Sequence, residues 1–435
     1  MNKFTPAVGS ALALALLLTG CAGSSAPKSS SDGSGSVTVT AISGGNAAWV
    51  KSAIPGFEKK YPNIKIVENT ETNANLLANA AQLYASDAAP DLGFLQTNMS
   101  AYPLLLKEGL LQSMDDVWAN TGMSKVVPDN VTNGPWKADG HYYGIVLDQV
   151  WAPNLFYNKS LFEKAGINVS DGYRPTEAEF LSWIPKLKAA GAQGMAIGGT
   201  DSPAKHITGA LLQAWSTSST PFSGYVDNVP TAGGSELYSQ GPFLSALTTI
   251  TKWNDSGVFA NGTAGMTQAQ ADSLFAAGST GLLSDGFFVL PALEASKPDF
   301  KIGWMMYPVM STGTKTTFLT YTGDGFVVPT KAKNPIGAKL FAEYLASVDG
   351  QTLIPAAGEV PIRTDLPKSA LQALDPIVSD MLSKLDSLGT DPIWSPEQSV
   401  ETLVTRGFGQ LLIGQTTPQQ LATTTQTAVA AAAKK

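Results

Sequence analysis

Few residue arrangements in this chain could support covalent chemistry. There is no Gly-x-Ser-x-Gly turn for a serine nucleophile, no phosphate-cradling P-loop and no Gly-x-Gly-x-x-Gly dinucleotide turn. His141 and His206 are the only histidines, and neither has a neighbour at ligand spacing, so no transition-metal site and no cofactor are expected. Two carboxylates about 5–10 Å apart would suit a glycosidase, and the 35 acidic residues leave that arrangement open. What the chain offers clearly is hydrogen bonding at the ends of strand-like runs. Asn46, Gln96, Asn98, Asp148, Asp201, Asp285, Asp324 and Arg363 lie in such loops. Carboxylates, amides and a guanidinium exchange hydrogen bonds with hydroxyl groups. Trp49, Trp151, Phe287 and Phe288 share these loops, and an aromatic ring can cover the apolar face of a pyranose.

These loops need strands to position them. "VTVTAI" (Val37–Ile42), "IKIVE" (Ile64–Glu68) and "DLGFLQ" (Asp91–Gln96) read as strands. Between them, Val50, Ile54, Phe57 and Tyr61 repeat at helical spacing, as do Leu76, Leu77, Ala80, Leu83 and Tyr84. Alternation of strand and helix predicts an α/β fold with a parallel sheet. "GLLSDGFF" (Gly281–Phe288) and "KIGWMMYP" (Lys301–Pro308) are further strands. Beyond Asp365 the pattern is almost entirely helical and ends in a weakly anchored "AVAAAAKK". No internal repeat is present.

The one cysteine, Cys21, stands in "LLLTGCAGSS" (Leu16–Ser25). Before it come Lys3, the apolar run Ala7–Leu18 and small residues, which is the layout of a secretory signal peptide. That run is too short to span a bilayer, which takes roughly 20 residues. Leu18-Thr19-Gly20-Cys21 resembles the bacterial lipobox, which implies that Cys21 becomes the lipidated first residue of the mature chain. Ala22–Ser36, rich in Gly and Ser, cannot bury enough apolar surface to fold and reads as a tether. The expected organisation is a signal peptide at 1–20, a tether at 21–36 and a globular body from Val37.

About 400 residues of body predict two domains. A hydrophobic fraction of 43% is enough for real cores. Removal of Lys3 with residues 1–20 takes the formal charge from −7 to −8. With no basic run, such a body is not expected to bind nucleic acid.

A family resemblance rests on the order of several segments. "PGFEKKYPNIKI" (Pro55–Ile66), "KEGLLQSMDD" (Lys107–Asp116), "DGHYYGIVLD" (Asp139–Asp148) and "LFYNKSLFEKAGI" (Leu155–Ile167) come first. "RPTEAEFLSWIPKLKAAG" (Arg174–Gly191), "GLLSDGFF" and "TGDGFVVPTKAKNPIGAKLFAEYLAS" (Thr322–Ser347) follow. In this order they resemble the landmarks of the extracellular solute-binding proteins of sugar-type ABC importers, the family 1, maltose-binding-protein-like group. The resemblance spans Val37 to Ala428. It implies two discontinuous α/β lobes of the periplasmic-binding-protein type II kind, joined by hinge crossovers around a ligand cleft. Lobe 1 would comprise 37–148 and 316–356, and lobe 2 would comprise 149–315 and 357–435. The crossovers would fall near Leu147–Trp151, Lys315–Tyr321 and Ile354–Arg363. The implied protein is not an enzyme. It is a monomeric receptor on the extracellular face of the membrane, anchored through Cys21, that captures a sugar or oligosaccharide for ABC permease subunits. A secreted carbohydrate-active hydrolase or lyase, or the same fold with another small polar solute, is the alternative.

Several site residues have a second role open to them. Trp49 can face cleft or core, Asp148 can brace the hinge, and Asp285 can cap the next helix. Either Phe287 or Phe288 can serve as the ring that many relatives supply with Trp. Trp151, beside a crossover, is expected in the cleft. Trp118, Trp183 and Trp253 sit in helical patterns and are expected to pack internally. Alternation sends Tyr142 and Tyr143 to opposite faces, so one of them is expected to be buried. Arg363 and the amides argue against a cationic ligand.

Overall fold

The computed structural model describes residues 31–42, 46–226, 237–310 and 317–432. Cys21, the signal segment and most of the tether lie outside the described residues. Among the described residues the strands form two principal sheets on separate cores, a shorter-stranded sheet that links them, and a two-stranded ribbon.

The first sheet has the strand order Asp324–Val327, Leu92–Gln96, Gly35–Ile42, Ile64–Glu71. Its three N-terminal strands are parallel, as the alternation predicts, while Asp324–Val327 joins antiparallel at the edge. Val37, Val39 and Ala41 point into one core with Val50, Phe57, Phe94 and Phe341. Period-two alternation in the strand and helical spacing in Ala47–Lys60 bring these residues to one face each.

The second sheet has the order Ile302–Met305, Asn154–Asn158, Thr280–Asp285, Gln193–Ala196. Only its last pair is parallel. Helix Glu177–Ala189 packs over it and begins with a reciprocal cap between Thr176 and Glu179. Trp183 and Trp253 are buried in its core, and Trp118 in that of the first sheet. Tyr142 and Tyr143 are both only half-buried. Tyr142 stacks on Trp118 with ring centroids 3.9 Å apart, so alternation sorted their faces without burying either.

The third sheet has the order Val360–Pro361, Asp148–Trp151, Phe318–Tyr321, Thr390–Pro392. It gathers the chain segments that pass between the two larger sheets. Phe318–Tyr321 still packs against the second set of cores, and the chain rejoins the first sheet only at Asp324. The return therefore lies beyond the expected position 316. Val360 packs with the second side and Ile362 with the first, so the third passage is a weave rather than a single step.

The C-terminal segment is helical over Gln398–Leu412 and Pro418–Ala432. Leu421, Ala422, Thr425 and Val429 are buried, so the terminal helix is anchored as far as Val429, while Ala430 and Ala431 beyond it are exposed. Its apolar stripe packs on helix Gln398–Leu412. Among the described residues no helix is long and apolar enough to cross a membrane.

Candidate functional site

The ends of the strands and the loops that follow them enclose a cavity of about 460 Å³ between the two larger sheets. That volume is in the usual range for small-molecule sites. A second groove of about 690 Å³ shares Asn73, Asp201, Ser202, Gln268 and Glu401 with it and continues along helix Gln398–Leu412. Open α/β sheets place ligands in this position, beyond the carboxyl ends of their strands.

Asn46, Gln96, Asn98, Asp148, Asp201, Phe288 and Asp324 all line the cavity. Gln96 and Asp324 are direct cross-strand partners, and the Gln96 amide donates to Asp324 at 3.0 Å. Asn46 accepts a hydrogen bond from the Ile42 amide at 2.9 Å, which ties the end of the first strand to the start of the first helix. Asp201 accepts from the Gln268 amide at 2.6 Å and so caps helix Gln268–Ala276 across the cavity floor. Phe288 presents its ring to the cavity, whereas Phe287 packs into the core on Phe156 and Trp304.

Besides Phe287, four expected site residues are elsewhere. Trp151 is buried on the far side of its strand, with its ring edge-on to Phe318 at 6.2 Å. Successive strand residues face opposite ways. Asp148 and Val150 line the cavity, so Gln149 and Trp151 turn from it. Trp49 is fully buried against Phe326, with its indole beside Asp148. Asp285 lies behind the cavity wall, where it accepts from the Gly286 amide, and burial together with the neighbouring Asp272 holds its carboxyl well above the carboxylate range. Arg363 grips Asp365 through two bonds of 2.8 Å and reaches the carbonyls of Thr121 and Ala346. It pins the third crossover to the first core and does not reach the cavity.

Several lining residues carried no readable signal in the sequence. Lys205 and Glu401 lie on helices and read as solvated charges, yet they pair at 3.2 Å inside the cleft. Glu401 also accepts from Asn98 at 2.7 Å, and Tyr321 donates to Asn98 at 3.0 Å. Gln398 reaches the carbonyl of Leu77, and Ser100 reaches Gln398 and Glu397. These bonds hold the two sides together along one edge. Glu359, the one acidic residue within "AAGEVPIR", is 8% exposed and faces the cavity. Its carboxyl has no hydrogen-bond partner among the described residues.

The electrostatics follow from enclosure. Burial and the neighbouring Asp324 push Asp148 up to about 7, while the Trp49 indole acts in the opposite direction. Burial raises Asp324 to about 6, against the Gln96 amide and Lys205. Burial, Asp148 and Asp324 together hold Glu359 well above the carboxylate range. His206 lines the cavity with its Nδ1 unpartnered, and burial beside Lys205 keeps it neutral. The arrangement offers dense polar contacts and a ring, but no activated nucleophile.

Residues 41–352 match the family model described as bacterial extracellular solute-binding protein. An uncharacterised ABC transporter extracellular-binding protein of Pyrococcus horikoshii is 27% identical over 397 residues, covering 87% of this chain and 84% of that one. The fold is similar to that of a chitin oligosaccharide binding protein, with a TM-score of 0.77 at 18% identity, over 92% of this chain and 100% of that chain. It is similar also to the GacH receptor of Streptomyces glaucescens, solved unliganded and with acarbose, with a TM-score of 0.73 at 20% identity, over 92% and 99% of the two chains. These are binding proteins rather than enzymes, and the chain, matched over most of its length, belongs to the bacterial extracellular solute-binding proteins.

Proposed function

We propose that this protein is the substrate-binding receptor of an ABC importer and captures a sugar or oligosaccharide in the interlobe cavity. The carrying observation is that hydrogen-bonding side chains from both sheets converge on one chamber that also holds the Phe288 ring. Hydroxyl groups satisfy such a set without any bond being broken. The groove beyond Asn73 and Gln268 gives a chain of sugar units somewhere to run. Of two proteins of the same fold, one is named for chitin oligosaccharides and the other was solved in complex with acarbose.

Closure needs a ligand that contacts both lobes, because a ligand shifts a conformational equilibrium only by its differential affinity. Asn98 and Glu401 lie on opposite sides of the same chamber, as such a ligand requires. The captured sugar is then passed to permease subunits, and lipidated Cys21 keeps the receptor at the outer face of the membrane.

The test is a thermal-shift and calorimetry panel of mono- to tetrasaccharides on the purified protein, since a ligand that binds only the folded state raises its melting temperature. At least one saccharide is expected to bind and to be recovered chemically unchanged. A panel without any shift, or a cleaved saccharide, would refute the proposal.

A further inference from the structure

We infer that the cavity is built for a saccharide carrying a protonated amine, because three buried carboxylates converge on it and the one lysine near them, Lys205, is already paired with Glu401. This rests on the sugar-receptor reading and narrows it to amino sugars.

Six carboxylates line the chamber: Asp148, Asp201, Asp272, Asp324, Glu359 and Glu401. Against them stand one lysine and a neutral histidine. Lys205 is engaged by Glu401 at 3.2 Å. Asp201 is occupied with the Gln268 amide, and Asp272 lies beside the buried Asp285, away from the other three. Asp148, Asp324 and Glu359 remain together. Asp148 and Glu359 come from adjacent strands, since Pro361 pairs with Asp148 and Val360 with Gln149. Both are more than nine-tenths buried, at 7% and 8% exposure.

Hydroxyl ligands do not require this. A neutral sugar would leave three neighbouring carboxyls repelling one another in a low-dielectric site, or holding protons in order to avoid it. An ammonium group among them supplies further positive charge and hydrogen-bond donors. Arg363, which on sequence grounds weighed against a cation, is elsewhere and offers no competing charge. A metal ion fits less well. Among the described residues no three His, Cys, Asp or Glu side chains are spaced to ligate one, so the carboxylates surround the chamber rather than meet at a point.

The amine enters protonated, and the trio gives up the protons it holds in the empty site. Binding therefore releases protons to solvent with no covalent change.

Within each sugar the test compares forms that differ only in the substituent at C2. Glucosamine, galactosamine, mannosamine and β-1,4-linked glucosamine dimers to tetramers are compared with the corresponding neutral and N-acetylated sugars, with spermidine as a non-sugar amine. Calorimetry in buffers of different ionisation enthalpy reads affinity and proton release together. At least one amino sugar is expected to bind tenfold or more tighter than its neutral counterpart, with proton release. Glu359→Gln is expected to abolish that preference without lowering the melting temperature. Equal or tighter binding of the neutral form overturns the inference and leaves the sugar-receptor reading intact. Silence from every amine also overturns it. Binding of spermidine with no saccharide bound overturns both readings.

Discussion

Asn98 donates across the cleft to Glu401 at 2.7 Å while the same carboxylate pairs with Lys205 at 3.2 Å. One side chain thus joins the lobes and neutralises a buried lysine whose side chain is 7% exposed. Removing one partner of a buried pair costs about 3–5 kcal/mol, because the other charge is left uncompensated. Glu401→Ala is expected to lose stability on that order by urea unfolding, and its radius of gyration in solution scattering should increase. An unchanged unfolding midpoint would show that this contact is incidental. Glu401→Gln, which keeps an acceptor for Asn98, should fall between parent and alanine variant.

Phe288 and Trp151 should separate binding from folding. The Phe288 ring faces the chamber, so Phe288→Ala is expected to weaken the cognate sugar by about tenfold to hundredfold, equivalent to roughly 1.5–3 kcal/mol of apolar contact. Trp151 is packed on Phe318. Trp151→Ala is expected to cost about 3–5 kcal/mol of fold stability, as aromatic truncation in a core does, with affinity changed only a few-fold. Calorimetry and thermal melts on both variants decide between the two placements, and the reverse pattern would return Trp151 to the cleft.

The unliganded protein should respond to pH through its buried acids. Asp148 is pushed up to about 7 and Asp324 to about 6, with Glu359 also raised, from ordinary values near 4. Between the ordinary and the raised values the folded state holds more protons than the unfolded one, so stability falls as pH rises. His206 works the other way below its ordinary value, since it is held neutral when folded and takes a proton when unfolded. The difference between variant and parent isolates the acids. Glu359→Gln should gain melting temperature over the parent, increasingly from pH 5 to pH 8. A constant offset across that range would mean that Glu359 is not titrating there.

The expected anchor at Cys21 is separated in sequence from the body by the tether. Cys21→Ala is expected to leave the chain unlipidated and unprocessed at that position by mass spectrometry, while sugar affinity stays at the parent value. Normal acylation of the variant would rule out the anchor.

Removing divalent ions should change little. His141 pairs with Asp115 at 2.6 Å on the surface, and His206 lies in the cavity far along the chain, so no two histidines cooperate. EDTA is expected to leave both melting temperature and sugar affinity unchanged, and a large drop in the melt would expose a metal site outside the described residues.

Local patterning by itself determined much of this protein. Val37, Val39 and Ala41 alternate toward the first core, and Phe57 lies at helical spacing from Val50. The loops that follow strands then had to reach the cleft, which is how Asn46, Gln96, Asn98, Asp148, Asp201, Phe288 and Asp324 were legible. These features are short-range consequences of strand and helix periodicity. The side on which Trp151 falls is a consequence of the same period once Asp148 is placed. Only tertiary structure decided which charges meet. Lys205 and Glu401 are far apart in sequence and sit on helices, where a charge ordinarily indicates solvent. Glu359 joins Asp148 and Asp324 because three crossovers weave through one small sheet. Burial changes what those carboxyls do, and burial is a property of packed neighbours that no local stretch of sequence contains.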